Sequence, residues 1–288
     1  MGYGTTHMTP TTHTKFLPEI YGEAIVARDQ SEVLARLVTR KDADVKNGGT
    51  KDNFPIVSAL TTTAVSDETA VTFQATTESE VELSLNRHYE SSFMLQDRTK
   101  IQSSYELARL YSQKIGQALT DKVETDIAGL YSGLTQTVGT GHTALTEALI
   151  VRAIQYLDDA KAPQTERYFV GKPAAMNNLR QISRFTEYQT TGNSAAPMVG
   201  GQRGFVTNAF GVDIYITTNI SQVAGTPGII HNLLFHRSAF ALAMQKDISV
   251  EQDRRPDYLG TAFIASALWG YCEMRDDHAV DVRTVISA

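Results

Sequence analysis

A mixed α+β fold is predicted from three observations in the 288-residue sequence. Apolar residues recur at steps of three and four between Ile101 and Leu130, which is the period of one helix face. Apolar and polar residues alternate strictly over 81–86, which is the period of a strand. A short strand at Tyr168–Val170, a turn, a helix and a further strand from Val212 follow one another, and this mixture indicates an α+β domain.

The leading segment is predicted to be an arm. Its first fourteen residues are mostly threonine, glycine and histidine with almost nothing to bury, so we expect mobility unless another chain holds them. From Phe16 to Val38 the apolar spacing suits one or two short helices. Asn47, Gly48 and Gly49 then end the helical pattern.

The segment from about Lys51 to Glu80 is predicted to form a long two-stranded extension, with its turn near Ser66–Thr69. Val81, Leu83 and Leu85 alternate with polar residues, so we expect one face of these strands to lie in water. An isolated hairpin of this length is marginally stable, because neither face carries enough apolar area. The hairpin is therefore expected to lie on a neighbour.

A helical rod of about 40 Å is predicted for Ser104–Ser132. Ser103 and Glu106 have the spacing of a capping box, and Gly133 provides a stop signal. Gly116 inside the helix costs about 1 kcal/mol relative to alanine, so we expect close packing at that turn.

Two glycine-rich segments suggest nucleotide or phosphate binding, but their surroundings do not support it. Gly139, Gly141 and Ala144 match the G-x-G-x-x-A pattern of a dinucleotide loop, yet a long helix precedes them where that loop needs a strand. A connection between two helices, with Thr143 as N-cap, is favoured instead. The second segment, 190–211, is followed by no helix N-terminus with a lysine, so a flexible surface loop is favoured over a phosphate cradle.

The residue types that carry chemistry are few. None of the seven histidines falls in a metal-ligand spacing. Asp276, Asp277 and His278 are interpreted as a polar hairpin turn, and Cys272 is expected to be a buried structural thiol. Neither a P-loop nor a G-x-S-x-G elbow occurs in the sequence. The sequence therefore predicts no catalytic residue, no metal and no cofactor.

Composition excludes further classes of protein. The formal net charge of -6 argues against a protein that grips nucleic acid, since lysine and arginine supply most of the affinity for phosphate. No apolar run approaches the roughly 18 residues of a membrane span, and the N-terminus lacks the pattern of a signal peptide. At about 150 residues per domain, the length fits two domains or one elaborated domain.

The order of these elements resembles the major capsid proteins of tailed bacteriophages, whose fold is also found in encapsulin shells and in the floor of herpesvirus capsids. The matching features are the arm, the long hairpin (E-loop) and the strand-turn-helix "RYFVGKP". A further one is a long spine helix, to which the run "LQDRTKIQSSYELARLYSQKIGQALTDKVETDI" leads. In the closing block, "FHRSAFALAMQKDISVEQ" resembles the family's strand into a short helix. The following "DYLGTAFIASALWGYCEMRDDHAVDVRT" resembles the strands that return the chain to the peripheral domain.

The resemblance implies a structural protein with a defined division of the chain. The implied units are an arm with short helices over 1–50, an E-loop over 51–90, a peripheral domain with the spine helix over 91–140, an axial domain over 141–245 and return strands to the peripheral domain over 246–288.

The resemblance also implies contacts between copies in pentamers and hexamers. These contacts are expected from the E-loop at Thr61, Val65, Asp67, Val71 and Phe73, and from the arm at His13, Phe16 and Leu17. A ring-axis loop is expected at Gly192, Pro197, Gly200 and Arg203. The implied product is an icosahedral or prolate head shell in the virion, assembled in the host cytoplasm, that encloses double-stranded DNA without sequence-specific binding and without a membrane.

Further partners are expected from the same resemblance. Because the sequence passes from Met1 almost directly into the arm, we expect a separate scaffolding protein, besides a portal and a possible decoration protein. Two other functions stay open from the sequence. One is an encapsulin-like nanocompartment, formed by this chain alone around a cargo protein. The other is a nucleotide-dependent enzyme built around Gly139 and Gly141, which a dinucleotide would stabilise against heat.

Overall fold

The computed structural model describes residues 32–46, 48–57, 60–64, 73–76, 78–102, 107–181, 205–225 and 228–285. The helices in these ranges are α1 (Leu34–Leu37), α2 (Asp42–Val45), α3 (Asp97–Gln102), α4 (Leu107–Ala128), α5 (Glu147–Asp159) and α6 (Pro173–Arg180). The strands are β1 (Thr39–Arg40), β2 (Lys51–Val57), β3 (Glu78–Ser84), β4 (Arg87–Gln96), β5 (Thr137–Val138), β6 (Arg167–Gly171), β7 (Phe205–Ala209), β8 (Val212–Ile216), β9 (Gln222–Val223), β10 (Ile229–His236), β11 (Phe240–Arg255), β12 (Gly260–Glu273) and β13 (Ala279–Val285). The predicted mixture of helices and strands is confirmed.

Sheet 1 contains β1, β11, β12 and β4, in that order. β11 and β12 form a long antiparallel ribbon, with a register shift in β11 between Met244 and Ser249. β4 is antiparallel to β12 opposite Gly260–Trp269, and β1 is parallel to β11. The first five residues of β11 are buried and the last five are exposed, so sheet 1 extends from the core into solvent.

Sheet 2 contains β5, β13, β10, β6, β8 and β7, in that order, and β9 pairs with β10. β10 lies at its centre and is antiparallel to β13 and to β6. Successive side chains of β10 point to opposite faces, so Leu233 and Phe235 enter one apolar core while Leu234 enters another. α5 and α6 cover the second core through Ile150, Leu157 and other residues, and both faces of the strand are therefore buried.

α4 packs against sheet 1 through one apolar face. Ile115, Leu119, Val123 and Ile127 are all buried, at steps of four residues, in the core that also holds Trp269. The predicted helix is confirmed from 107 to 128, and its last predicted turn, 129–132, tightens to a 3-10 helix. The predicted capping box lies outside the described residues.

The connection between α4 and α5 differs from the prediction. β5 lies between the two helices and pairs with β13, so the segment is not a simple helix-helix connection. The N-cap of α5 is Thr146, not Thr143. The reason is that the carbonyl oxygen of Thr143 accepts a hydrogen bond from the backbone N–H of Val285, 3.0 Å away, which holds Thr143 beside the end of β13.

The closing block also differs from its prediction. The turn at Asp276–His278 is a 3-10 helix that joins β12 of sheet 1 to β13 of sheet 2. The interpretation as a hairpin turn is wrong, because β12 and β13 pair with different strands. The predicted short helix is a single 3-10 turn, Arg237–Ala239. The range 246–288 contributes strands to both sheets, and its first boundary falls inside β11.

Candidate interaction surface

The predicted two-stranded extension is confirmed over β2 and β3. Lys51 pairs with Ser84 at the base, and Val57 pairs with Glu78 at the far end. Further out, the backbone N–H of Thr61 donates to Oε1 of Gln74 at 3.0 Å, and Nε2 of Gln74 donates to the carbonyl oxygen of Thr61. The two sides of the hairpin therefore stay next to each other beyond β2 and β3. The predicted turn at 66–69 lies outside the described residues.

The outer part of the hairpin carries large apolar side chains in water. Phe73 is 92% exposed, and Val57 and Leu60 are each 66% exposed. Burial of each of these side chains would lower the free energy, since apolar area removed from water contributes about 25 cal/mol per Å² of stabilisation. Large exposed apolar side chains on a projecting ribbon are typical of an interaction surface. We call the side chains of Val57, Leu60 and Phe73 the hairpin patch.

The stem of the hairpin is polar and acidic. Lys51 and Glu82 form an ion pair across the strands, with Nζ and Oε2 2.7 Å apart. The hydrogen bond from Lys51 lowers the pKa of Glu82, and a second one from Ser84 lowers it further. Asn53 donates to Glu80 in the same way at 2.8 Å. These cross-strand pairs keep the strands in register where few apolar contacts are available.

The base of the hairpin is fixed to sheet 1. Leu83 is fully buried beside Cys272 and Ala243, with Phe54 packed at the edge of the same cluster. Gly270 of β12 lies directly beneath the hairpin, and a β-carbon there would collide with the carbonyl oxygen of Ser84. Only glycine allows this close approach of two backbones.

A second set of contacts ties the preceding loop to β11. Nε2 of Gln245 donates to the carbonyl oxygens of Val45 and Gly49, at 3.1 and 3.0 Å. The backbone N–H of Leu85 donates to the carbonyl oxygen of Thr50 at 2.9 Å. The hairpin therefore projects from a base that is held on several sides.

The segment that follows the predicted arm is held by one buried carboxylate. Glu124 of α4 is fully buried and accepts hydrogen bonds from the backbone N–H groups of Val33, Leu34 and Ala35, at 3.1, 2.8 and 2.9 Å. A carboxylate is well suited to the N–H groups at the start of α1, because these groups have no acceptor within the helix. Burial raises the pKa of Glu124 to about 7, although the three backbone hydrogen bonds oppose that rise.

Cys272 and Gly139, which the sequence analysis singled out, both have a structural explanation. Cys272 is buried, and burial together with the nearby charge of Asp52 raises its pKa to about 12, which favours the protonated thiol. Gly139 and Gly141 have positive φ angles, and a β-carbon at Gly139 would collide with the carbonyl oxygen of Arg283. Packing against β13 therefore accounts for this glycine without a nucleotide.

The described part of the chain carries neither a metal-ligand cluster nor a membrane-spanning helix. Within the ranges given above, no group of three or more His, Cys, Asp and Glu side chains is placed to hold a metal ion. None of the helices in those ranges is long and apolar enough to cross a membrane.

The predicted contact residues are only partly described. Thr61 and Phe73 lie on the exposed outer hairpin, and their role as contact residues stays a prediction. The remaining ones lie outside the described residues, namely Val65, Asp67, Val71, His13, Phe16, Leu17, Gly192, Pro197, Gly200 and Arg203. Sequence reasoning missed Leu60 and Val57, although the apolar run "IVSAL" in a polar segment was a signal. It also missed Glu124, for which the sequence contains no local signal.

Comparison with known proteins gives a consistent result. A family model described as phage capsid protein matches residues 94–272. No curated protein matches the sequence.

Solved structures are similar over nearly the whole chain. The structure from Mycobacterium phage Che8 has a TM-score of 0.73 at 21% identity, covering 98% of this chain and 97% of that chain. The capsid of the Cyanophage P-SCSP1u has a TM-score of 0.70 at 16% identity, covering 100% and 93%. The capsid of Ralstonia phage GP4 has a TM-score of 0.64 at 10% identity, covering 100% and 95%. These similarities confirm the fold class predicted from the sequence.

Proposed function

Since the chain belongs to the phage capsid protein family, we propose that its copies join into a closed head shell chiefly through the hairpin patch. The chain is a phage major capsid protein, so its role in the virion capsid is structural. The phage family match does not favour the nanocompartment alternative. What remains to be assigned is which surfaces join the copies.

The exposure of the hairpin patch carries this proposal. Leu60 and Phe73 face water on a ribbon that has too little apolar area to be stable alone. Burying a large apolar side chain contributes about 1.5–3 kcal/mol. A neighbouring copy would provide that burial, and each contact would add to those made by the same copy elsewhere.

The fixed base supports the same proposal. The close packing at Gly270 and the hydrogen bonds of Gln245 fix the base of the hairpin. Binding at the hairpin patch therefore costs little conformational entropy in the stem. Identical subunits that meet head to tail make heterologous contacts, which close into rings. Pentamers and hexamers built in this way would combine many modest contacts into a shell that rarely dissociates.

Other parts of the proposal are supported by the sequence alone. We assign contact roles to the arm at His13, Phe16 and Leu17, to the outer hairpin at Thr61, Val65, Asp67 and Val71, and to a ring-axis loop at Gly192, Pro197, Gly200 and Arg203.

Sheet 1 with α4 would be the peripheral domain, and sheet 2 with α5 and α6 the axial domain. The net charge of -6 suits a wall to which enclosed DNA does not adhere. A scaffolding protein, a portal and a decoration protein would be separate partners, with assembly in the host cytoplasm.

A deletion tests the role of the hairpin. Replacing Thr61–Ala75 by a short glycine-serine turn leaves β2, β3 and the base unchanged, so we expect a folded, soluble protein that forms no closed particles. Size-exclusion chromatography and negative-stain microscopy would show the result, with thermal unfolding as the check on folding. Val151→Ser on α5, which also changes an exposed apolar residue, is the matched control and should still assemble. Normal particles from the deletion variant would show that the outer hairpin, with Phe73, is not needed to join the copies.

A further inference from the structure

The chain passes between the two sheets at two turns that lie against each other. The turn Arg237–Ala239 leads from β10 in sheet 2 to β11 in sheet 1, and the turn Asp276–His278 leads from β12 back to β13. The backbone N–H groups of Met274 and Arg275 both donate to the carbonyl oxygen of Ala239, at 2.8 and 3.2 Å. The fit of these two turns therefore bears directly on the angle between the sheets.

A third connection meets the same place. Asp276 accepts a hydrogen bond from the backbone N–H of Thr135 at 2.8 Å and another from the hydroxyl group of Thr135. Thr135 follows α4, just before β5 of sheet 2. Three segments that cross between the sheets are thus bound together by hydrogen bonds.

At the centre of this contact, Ser238 lies between two buried histidines. Its Oγ is 2.8 Å from Nδ1 of His236 and 2.8 Å from Nδ1 of His278. The backbone N–H of Ser238 also donates to Nδ1 of His236, at 3.2 Å. Both imidazole rings are buried, and they meet edge to face with their centroids 5.7 Å apart.

This arrangement fixes the protonation state of one ring. Because Nδ1 of His236 accepts from a backbone N–H, it carries no proton. The hydroxyl of Ser238 can then donate to His236 and accept from Nδ1–H of His278, which satisfies all three groups. A proton on Nδ1 of His236 would point at the backbone N–H of Ser238 and break that hydrogen bond. The hydroxyl of Ser238 would then have to accept from His236, and it could no longer donate to that ring.

The charged groups around the two rings would do little to stabilise a protonated His236. His236 faces His278, Glu166, Arg167 and Arg275. Burial lowers the pKa of His236, and the neighbouring His278 lowers it further. Glu166 alone of these neighbours favours the proton, and its carboxylate is already paired with Arg237, 2.9 Å away.

His278 has similar surroundings. It faces Asp277, Arg275 and Arg167, and burial lowers its pKa more than Asp277 raises it. Nε2 of His278 is 3.9 Å from Asp277, whose side chain is largely in solvent. Among the residues that the structure describes, neither imidazole therefore has a close, buried counter-charge.

We propose that His236, Ser238 and His278 form a proton-sensitive joint, closed while both imidazoles are neutral and loosened when His236 takes up a proton. The assignment concerns the joint within one protomer and does not depend on the hairpin contacts. Loosening would change the angle between sheet 1 and sheet 2, and with it the shape of the shell subunit.

The sign of the pH effect follows from the lowered pKa values. A histidine with a lowered folded pKa stabilises the closed joint fully above its unfolded value near 6.5, and that contribution is lost as the pH falls below it. Glu273 has the opposite sign, because burial and the nearby Asp276 raise its pKa and its uptake of a proton favours the folded turn. Proton uptake by Glu273 therefore cannot account for loosening in acid.

Hydrogen exchange on the full-length protein tests the joint. Between pH 7.5 and pH 5.0, after correction for intrinsic rates, we expect amides in 236–240 and 274–279 to exchange faster in the wild type. The increase should be about tenfold for each pKa unit by which the fold lowers the histidine pKa. Amides at the far end of β10, where Ile229 and Ile230 pair with β13, should be unaffected, since they lie at the opposite end of the strand from the turns. No acid-enhanced exchange at the two turns of the wild type would overturn the proposal.

Two variants separate the joint from other acid effects. His236→Asn keeps an acceptor near the position of Nδ1 but does not titrate, so the acid response at both turns should largely disappear. His88→Asn, at an exposed histidine on β4, should keep the full response. Ser238→Ala removes the bridging hydroxyl and should show fast exchange already at pH 7.5. An unchanged acid response in His236→Asn, or unchanged exchange in Ser238→Ala at pH 7.5, would contradict the assignment.

Discussion

Oε2 of Glu124, in the middle of α4, accepts a hydrogen bond from the backbone N–H of Leu34 at 2.8 Å, although the two residues are 90 positions apart. The same carboxyl group also holds Val33 and Ala35 through Oε1. The first described turn of the chain therefore depends on a single buried side chain of the long helix.

Glu124→Ala should destabilise the protein. The substitution leaves three backbone N–H groups without their acceptor in a buried place, and each unsatisfied group costs about 1–3 kcal/mol. Denaturant unfolding at pH 7.5 should show a loss of at least about 2 kcal/mol. Thr125→Ala, at the exposed next residue, is the control and should change stability little. Equal stability of Glu124→Ala and wild type would mean that these hydrogen bonds contribute nothing.

The raised pKa of Glu124 gives a separate pH prediction. Between 4.5 and about 7 the folded state binds this proton more tightly than the unfolded state, so the contribution of Glu124 to stability declines as pH rises through that range. Glu124→Gln does not titrate. The free energy of unfolding of wild type minus that of Glu124→Gln should therefore fall by up to about 3 kcal/mol from pH 4.5 to pH 8. A difference that stays constant with pH would show that the folded pKa is not raised.

Gly270→Ala should disturb the base of the hairpin. The added methyl group collides with the backbone of Ser84, so β3 must shift or β12 must bend, at a cost of about 1–3 kcal/mol. We expect a folded protein with a lower midpoint of thermal unfolding and poor particle assembly. Gly129→Ala is the control, because a β-carbon there meets open space. If Gly270→Ala assembled as well as Gly129→Ala, the close approach would be unimportant.

Phe73→Ser should weaken assembly without unfolding the protomer. Phe73 is almost fully exposed, so unassembled protein should keep its stability to within about 0.5 kcal/mol. Loss of about 1.5–3 kcal/mol per contact should raise the protein concentration needed for assembly by about tenfold or more. Light scattering over a concentration series gives this value. An unchanged threshold would remove Phe73 from the contact.

Cys272 should be inert in the folded protein. Its thiol is buried and its pKa is raised to about 12, so almost no thiolate exists at pH 8. Iodoacetamide followed by intact-mass measurement should show no adduct on native protein and one adduct after unfolding in guanidinium. Rapid labelling of the native protein would show that the thiol is accessible.

Local periodicity was enough to predict α4 and the stem of the hairpin. The apolar series through Leu119 and Val123 and the alternation through Val81 and Leu83 are properties of short windows, and the structure has the helix and strand where those windows lie. The N-cap was less secure, because Thr143 and Thr146 have the same capping ability. The choice between them depends on the partner at Val285, which is more than a hundred residues away.

Non-local contacts account for the rest. The anchoring of Leu34 by Glu124 and the approach of Ser84 to Gly270 join residues that no sequence window contains together. The membership of β13 in sheet 2 likewise depends on pairing with β10, and its sequence suits either sheet. Sequence patterning specifies which face of an element is apolar, but not which partner covers that face.

Because β3 crosses β12 closely at Gly270, a small change in packing there would move the far end of the hairpin by a larger distance. The paired stem is seven residues long, or about 23 Å at 3.3 Å per residue, and its pivot is the crossing of Ser84 over β12. A tilt of about 10° at the pivot would move the end of the stem by about 4 Å, which is the width of a methyl group. Under the proposed contact through the hairpin patch, the angle between neighbouring subunits would depend partly on the absence of a β-carbon at Gly270.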